Sequence, residues 1–217
     1  MSSEPSWRYA ALVSYVGTGY CGWQTQAGPD SGDAPSIQET IEAALRQITS
    51  EEKLSFAGSG RTDAGVHATG QVIHFVLKRK HWEPEILQKG LNSILGAYRT
   101  GKVSKYIQIL GVKEVPVGFH AQRSAVKKQY SYYFQQGPCA LPHVEPYSWW
   151  IKKELDVKAM QKGLNFLLGK NDFKPFQASG GKTSTTVREI LEAEVSLQKI
   201  QFPGLTQLSA KHPHVKK

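Results

Sequence analysis

Residues 53–77, KLSFAGSGRTDAGVHATGQVIHFVL, place two extended segments on either side of a glycine-rich turn, and the rest of the chain is read outward from that pair. KLSFAG (53–58) reads as a strand running into the turn. QVIHFVL (71–77) alternates, with Ile73, Phe75 and Leu77 on one side, as a half-buried strand does. Upstream, RYAALVSYV (8–16) is an opening strand that ends in the turn-rich GTGYCGWQ. Between the two, SIQETIEAALRQIT (36–49) is the best helix: Ser36 and Glu39 make a capping box, and Ile37, Ile41, Ala44, Leu45 and Ile48 share one face. The opening half is therefore strand, helix, strand, turn, strand.

Downstream the pattern continues with a helix at EPEILQKGLNSIL (83–95) and a strand at YIQILGVKEV (106–115). AVKKQYSYYF (125–134) alternates strongly and is read as a strand. In DVKAMQKGLNFLL (156–168), Val157, Met160, Leu164 and Leu167 keep helical spacing. TTVREILEAEVSLQKI (185–200) reads as strand, because its apolar residues do not hold a 3.6-residue period. Interleaved helices and strands define an α+β class, with two units whose sheets could join. The expected division is 1–104 and 105–200, with a seam in TGKVSKY (100–106) and a basic, proline-broken tail, 201–217, expected to be disordered.

A chain of 217 residues is long enough to bury a core. Lys and Arg number 27 against 18 Asp and Glu, a net charge of +9. That balance favours a polyanionic partner, because positive potential attracts phosphates over a Debye length; a basic soluble protein with no such partner is the plainer alternative. Cys21 and Cys139 lie far apart, with no metal-ligand or disulfide spacing, and read as reduced thiols of a cytoplasmic protein. The N-terminus lacks an export pattern, and no apolar run approaches the ~18 residues of a membrane span.

The turn fails as a phosphate loop. A dinucleotide fingerprint needs glycine where Asp63 stands, and the Walker pattern needs Lys and Ser or Thr where Val66 and His67 stand. GGKTST (180–185) has the complementary defect, with Phe176 at the first glycine position. Asp63 itself has two readings. One is an Asx-turn or helix N-cap; the other is an ionised carboxylate held by Arg61, a nucleophile or base. In the 125–134 segment, Tyr130, Tyr132 and Phe134 share a face: Tyr132 and Phe134 are expected in a core, Tyr130 at a rim. His67 and His74 have no third ligand to complete a metal set and are read as packed or hydrogen-bonded. The basic runs KRKHW (78–82) and AVKKQ (125–129) are solvated faces or phosphate contacts.

GSGRTDAGVHATGQVIHF (58–75) resembles the signature of the TruA family of tRNA pseudouridine synthases. YVGTGYCGWQ, FHAQRSAVKKQYSYYF, NDFKPF and TTVREI resemble further family segments in the family's order, across roughly residues 9 to 200. The resemblance implies Asp63 as the catalytic aspartate, Arg61 as the arginine of the same motif, and Tyr130 as the tyrosine against the target base. Gly60, Thr62 and His67 are assigned with Tyr130 to substrate contact. It further implies two ferredoxin-like domains with a joined sheet, a homodimer, no metal or organic cofactor, and uridines 38, 39 and 40 of the tRNA anticodon arm as substrates. Family members continue with an F-L-x-x-M-V-R segment and a closing strand, neither of which is found here, so the second domain is expected to be incomplete. A catalytically inactive RNA-binding relative is the alternative, and a phosphate-loop NTPase the weakest third.

Overall fold

The computed structural model describes residues 5–24, 34–97, 106–177 and 185–198, which form two compact units, Met1–Gln129 and Tyr130–Lys217. The class is α+β. The first unit runs β1 (Trp7–Tyr15), α1 (Ile37–Thr49), β2 (Ser55–Gly58), β3 (Ala68–Leu77), α2 (Pro84–Ala97) and β4 (Ile107–Glu114). The four strands pair antiparallel in the order β2-β3-β1-β4, the arrangement of a split β-α-β unit.

The local signals in the sequence are realised here. Ser36 caps α1 by accepting the Glu39 N–H, while the Glu39 carboxylate accepts the Ser36 N–H. The apolar face of α1 buries Ile37, Ile41, Ala44 and Leu45, with Ile48 partly covered. α2 begins with Pro84 at its first position and buries Leu87, Leu91 and Leu95, one helical turn apart. These side chains meet Tyr9, Ala11, Val13 and Tyr15 of β1, Ile73, Phe75 and Leu77 of β3, and Ile107 and Ile109 of β4. Tyr9 pairs with Phe75 in register, their rings stacked at 5.5 Å. Each fully buried Leu or Ile contributes about 1.5–3 kcal/mol relative to an exposed one.

The segment after β4 crosses the sheet's other face. The Val115 N–H donates to the Arg8 carbonyl, the Arg8 guanidinium donates to the Phe119 carbonyl, and the Ala121 N–H donates to His74 Nδ1 at 3.2 Å. His74 is thereby buried, with the His120 ring 4.7 Å away. Burial holds its imidazole below the ordinary 6.5, and His120, Arg8 and Arg123 push in the same direction. The expected packed, hydrogen-bonded reading of His74 is what the fold shows.

The second unit contains β5 (Phe134–Gln136), β6 (Trp149–Ile151), α3 (Val157–Asn165), β7 (Gly169–Asp172) and β8 (Val187–Ile190). β5 and β6 pair in parallel, β7 and β8 antiparallel. α3 is capped by Asp156, which accepts the Ala159 N–H at 2.9 Å. Two expectations are corrected. The strand expected over 125–134 is irregular chain except at its last residue, Phe134, and Tyr132 is 81% exposed rather than in a core. Alternation says which side chains would share a face if the chain were extended; it does not supply the partner strand that would keep it so. Likewise, of the strand expected over 185–200, the described residues 185–198 form strand at Val187–Ile190, the part that β7 pairs with. NDFKPF and TTVREI meet there, Asn171 opposite Arg188 and Asp172 opposite Val187. Thr186 donates to the Asp172 carboxylate, which also accepts the Lys174 N–H, and these bonds hold that carboxyl below its ordinary range.

Most of the expected seam at 100–106, the GGKTST loop apart from Thr185, and the tail 201–217 lie outside the described residues.

Candidate active site

The turn 59–67 hangs between β2 and β3, and a set of hydrogen bonds fixes its main chain. The Ser59 N–H extends the ladder to the Val72 carbonyl at 2.8 Å. The Thr62 carbonyl accepts the Trp23 N–H at 2.9 Å, and the Val66 N–H closes a turn on the Asp63 carbonyl at 3.2 Å. His67 Nδ1 accepts the Gly17 N–H at 3.0 Å, so its ring is tied to the loop after β1.

That loop, GTGYCGWQ, presses on the turn backbone to backbone. A Cβ on Gly17 would stand 2.1 Å from the Val66 carbonyl oxygen, and one on Gly22, whose φ is +115°, 2.9 Å from the Thr62 oxygen. Both positions need glycine for close approach, and Gly22 for its backbone conformation as well. Trp23 anchors the contact from the inside: it is 2% exposed, its ring abuts Gly58, and it packs against Tyr15 and Phe56. Tyr20, 4% exposed, is buried in the same loop, and burial pushes its hydroxyl up to about 12.

Within the turn, exposure alternates. Arg61 and Asp63 are exposed while Thr62 between them is half-buried. Thr62 Oγ1 meets the Tyr15 hydroxyl at 2.8 Å beneath the turn, and that hydroxyl lies 3.4 Å from Gln71 Oε1. Gln71 in turn donates from Nε2 to the Gly60 carbonyl at 3.1 Å. The Asp63 side chain caps no amide of its own loop among the described residues, so the Asx-turn and N-cap readings have no bond to rest on. The expected Arg61 clamp is also not formed: the ion pairs among the described residues are Arg46–Glu42 and His81–Glu114. A different cation stands by. Lys128 Nζ is 3.5 Å from where a Cβ on Gly60 would be, which puts an ammonium at the turn's edge.

The two basic runs have separate fates. In LKRKHW, the Arg79 guanidinium donates to the Ser50 carbonyl, Lys80 Nζ sits 5.0 Å over the Trp82 ring, and His81 pairs with Glu114. Only AVKKQ delivers a cation, Lys128, to the turn. Tyr130, the first residue of the second unit, is 67% exposed.

Residues 11–110, which include the second half of β1, the glycine-rich loop after it and the turn, match the family model described as tRNA pseudouridine synthase. The tRNA pseudouridine synthase A of Allorhizobium ampelinum is 38% identical over 189 residues, covering 87% of this chain and 68% of that protein. The chain belongs to the tRNA pseudouridine synthase family. The tRNA pseudouridine synthase A of Bdellovibrio bacteriovorus is also 38% identical, over 202 residues, 91% of this chain and 70% of its own length. The synthases are isomerases, and the two relatives are longer than this chain.

Sequence reading reached the turn but not what supports it. Tyr15 and Gln71 were legible only as polar atoms on faces otherwise apolar, and Lys128 only as one of several basic residues in a run.

Proposed function

We propose that this protein converts uridine to pseudouridine in the anticodon arm of tRNA, at position 38, 39 or 40, with Asp63 acting on the ribose. The observation that carries this reading is Asp63 itself, an exposed carboxylate on a turn whose backbone is pinned from both sides and whose side chain has no structural task among the described residues. A group held in place and left unused by the fold is available for chemistry.

Pseudouridine formation breaks the bond from uracil N1 to ribose C1′ and makes one from C5 to C1′; C5 gives up a proton and N1 takes one up, so the composition is unchanged. Asp63 either attacks C1′ as nucleophile or removes the C2′ proton to leave a glycal. The uridine must leave its stack, at a cost of a few kcal/mol, which calls for an aromatic surface and cations for the phosphates. Tyr130 is assigned the base, Arg61 and Lys128 the backbone, and Gly60 the close approach. Two ferredoxin-like domains, with the second incomplete, a cytoplasmic location and a homodimer belong to the same proposal. The dimer is supported by the aromatic surface of the second unit, and sedimentation at twice 24.1 kDa is expected; a 24.1 kDa species at micromolar concentration would remove it.

The test uses tRNA tritiated at uridine C5, because the hydrogen on C5 is displaced when C5 bonds to C1′. Label is expected in water with the natural protein and none with Asp63→Asn, tRNA binding being retained. Binding without release by the natural protein establishes the alternative, an RNA-binding relative without turnover.

A further inference from the structure

The Asp63 turn rests on a buried polar relay that the chemistry above does not use. Tyr15 lies on the core face of β1, 3% exposed, opposite Ala68 in β3. Gln71, opposite Val13, shares the core face of β3 with Ile73, Phe75 and Leu77, and an extra residue between Gln71 and Ala68 makes a bulge that brings Ala68 opposite Tyr15. Because Gln71 Nε2 is committed to the Gly60 carbonyl, its Oε1 faces the Tyr15 hydroxyl and can only accept. Tyr15 donates to Gln71 at 3.4 Å, and between its hydroxyl and Thr62 Oγ1, at 2.8 Å, either oxygen can be the donor. The chain of bonds runs Thr62 to Tyr15 to Gln71 to the Gly60 carbonyl, so both ends close on the turn, one on each side of Arg61.

We infer that Tyr15, Thr62 and Gln71 are positioning residues that hold Asp63 and Arg61 outward. Exposure alternates through Arg61, Thr62 and Asp63: with the Thr62 side chain drawn inward to Tyr15, its two neighbours face out. Turning the Thr62 side chain outward would swing Asp63 toward the core, so the relay chooses between a working and an idle carboxylate. Tyr15 and Gln71 are buried and Thr62 half-buried, and each makes a hydrogen bond along the relay, which stiffens its geometry. Thr62 thus acts through the turn and not by touching the substrate.

This inference rests on Asp63 being catalytic, and the experiment separates the two. Tyr15→Phe, Thr62→Val and the double variant are assayed by label release at saturating tRNA, alongside Asp63→Asn. Each single variant is expected to lower kcat about 10–100-fold, the scale of a displacement of ~1 Å at a reacting group. KM and tRNA affinity stay within about twofold, Thr62→Ser regains most of the rate, and the double variant is no slower than the worse single. Natural kcat in Tyr15→Phe or Thr62→Val overturns the inference, as does a tRNA-binding loss equal to the rate loss. If Asp63→Asn turns over, the catalytic reading falls whatever the relay does. Thermal melts guard against unfolding, and Thr62→Val, which leaves the core untouched, stands in if Tyr15→Phe melts early.

Discussion

At the scale of single residues, a buried imidazole gives the fold a pH sensitivity whose direction is fixed. His74 is enclosed by Ala57 of β2, Arg8 of β1 and the crossing segment with Phe119, His120, Ala121 and Arg123. Desolvation first, then the surrounding cations, hold its proton affinity below the unfolded value of 6.5. Its neutral form also accepts the Ala121 N–H, a bond that protonation at Nδ1 removes. The unfolded chain therefore binds a proton that the folded chain refuses, and stability contributed above pH 6.5 is lost as pH falls through the lower folded value. Urea midpoints at pH 8, 6.5 and 5.5 are expected to fall toward acid, and His74→Gln is expected to flatten that fall. An equal slope in both proteins would show that the acid loss comes from other groups. In sequence, His74 stood as a polar residue in an alternating strand; that it packs beneath a segment 47 positions away was not written in any local pattern.

Between residue and molecule, elements are joined by a few side chains whose loss should be felt at both ends. Glu51, just past α1, is 6% exposed, and its Oε1 accepts the Lys78 N–H at 2.6 Å and the Arg79 N–H at 2.7 Å. One carboxylate oxygen thus ties the end of α1 to the end of β3. Glu51→Ala removes the acceptor of two part-buried amides, and the loss of two hydrogen bonds to a charged group costs at least about 1 kcal/mol. Glu51→Gln keeps the Oε1 acceptor and is expected to lose less. A lower urea midpoint at unchanged m-value checks this, with the alanine variant below the glutamine one; equal midpoints would mean water replaces the carboxylate. The elements themselves were legible because their signals are local: the Ser36–Glu39 box, the one-faced apolar pattern of α1, the alternation at 71–77. Glu51 was not, since nothing near it in sequence names the partner strand.

For the whole molecule, legibility divides at the boundary between the units. In the first, strands and helices follow from periodicity, and the class from their order. In the second, β5 finds β6 in a parallel pairing, and among the described residues Gln135 alone is buried, while Tyr132, Trp149, Phe166 and Phe176 are largely exposed. Aromatic patterning there describes a surface, which sequence reading takes for a core. The charge excess is legible in total but not in place, and this yields a final prediction. If +9 serves to hold RNA, affinity must fall with salt, because each neutralised phosphate releases counterions. About four such contacts give a log–log slope of about −3, so a fourfold rise in salt weakens binding roughly sixty-fold. Lys128, beside Gly60 at the turn, is expected to carry one contact, and Lys128→Gln to reduce the slope by about one. Lys80, engaged over the Trp82 ring, is not, and Lys80→Gln should leave the slope alone. Filter binding of tRNA across 50–200 mM salt reads all three proteins; equal slopes would mean that the cation at the turn does not meet a phosphate, and that the basic charge works from some other face.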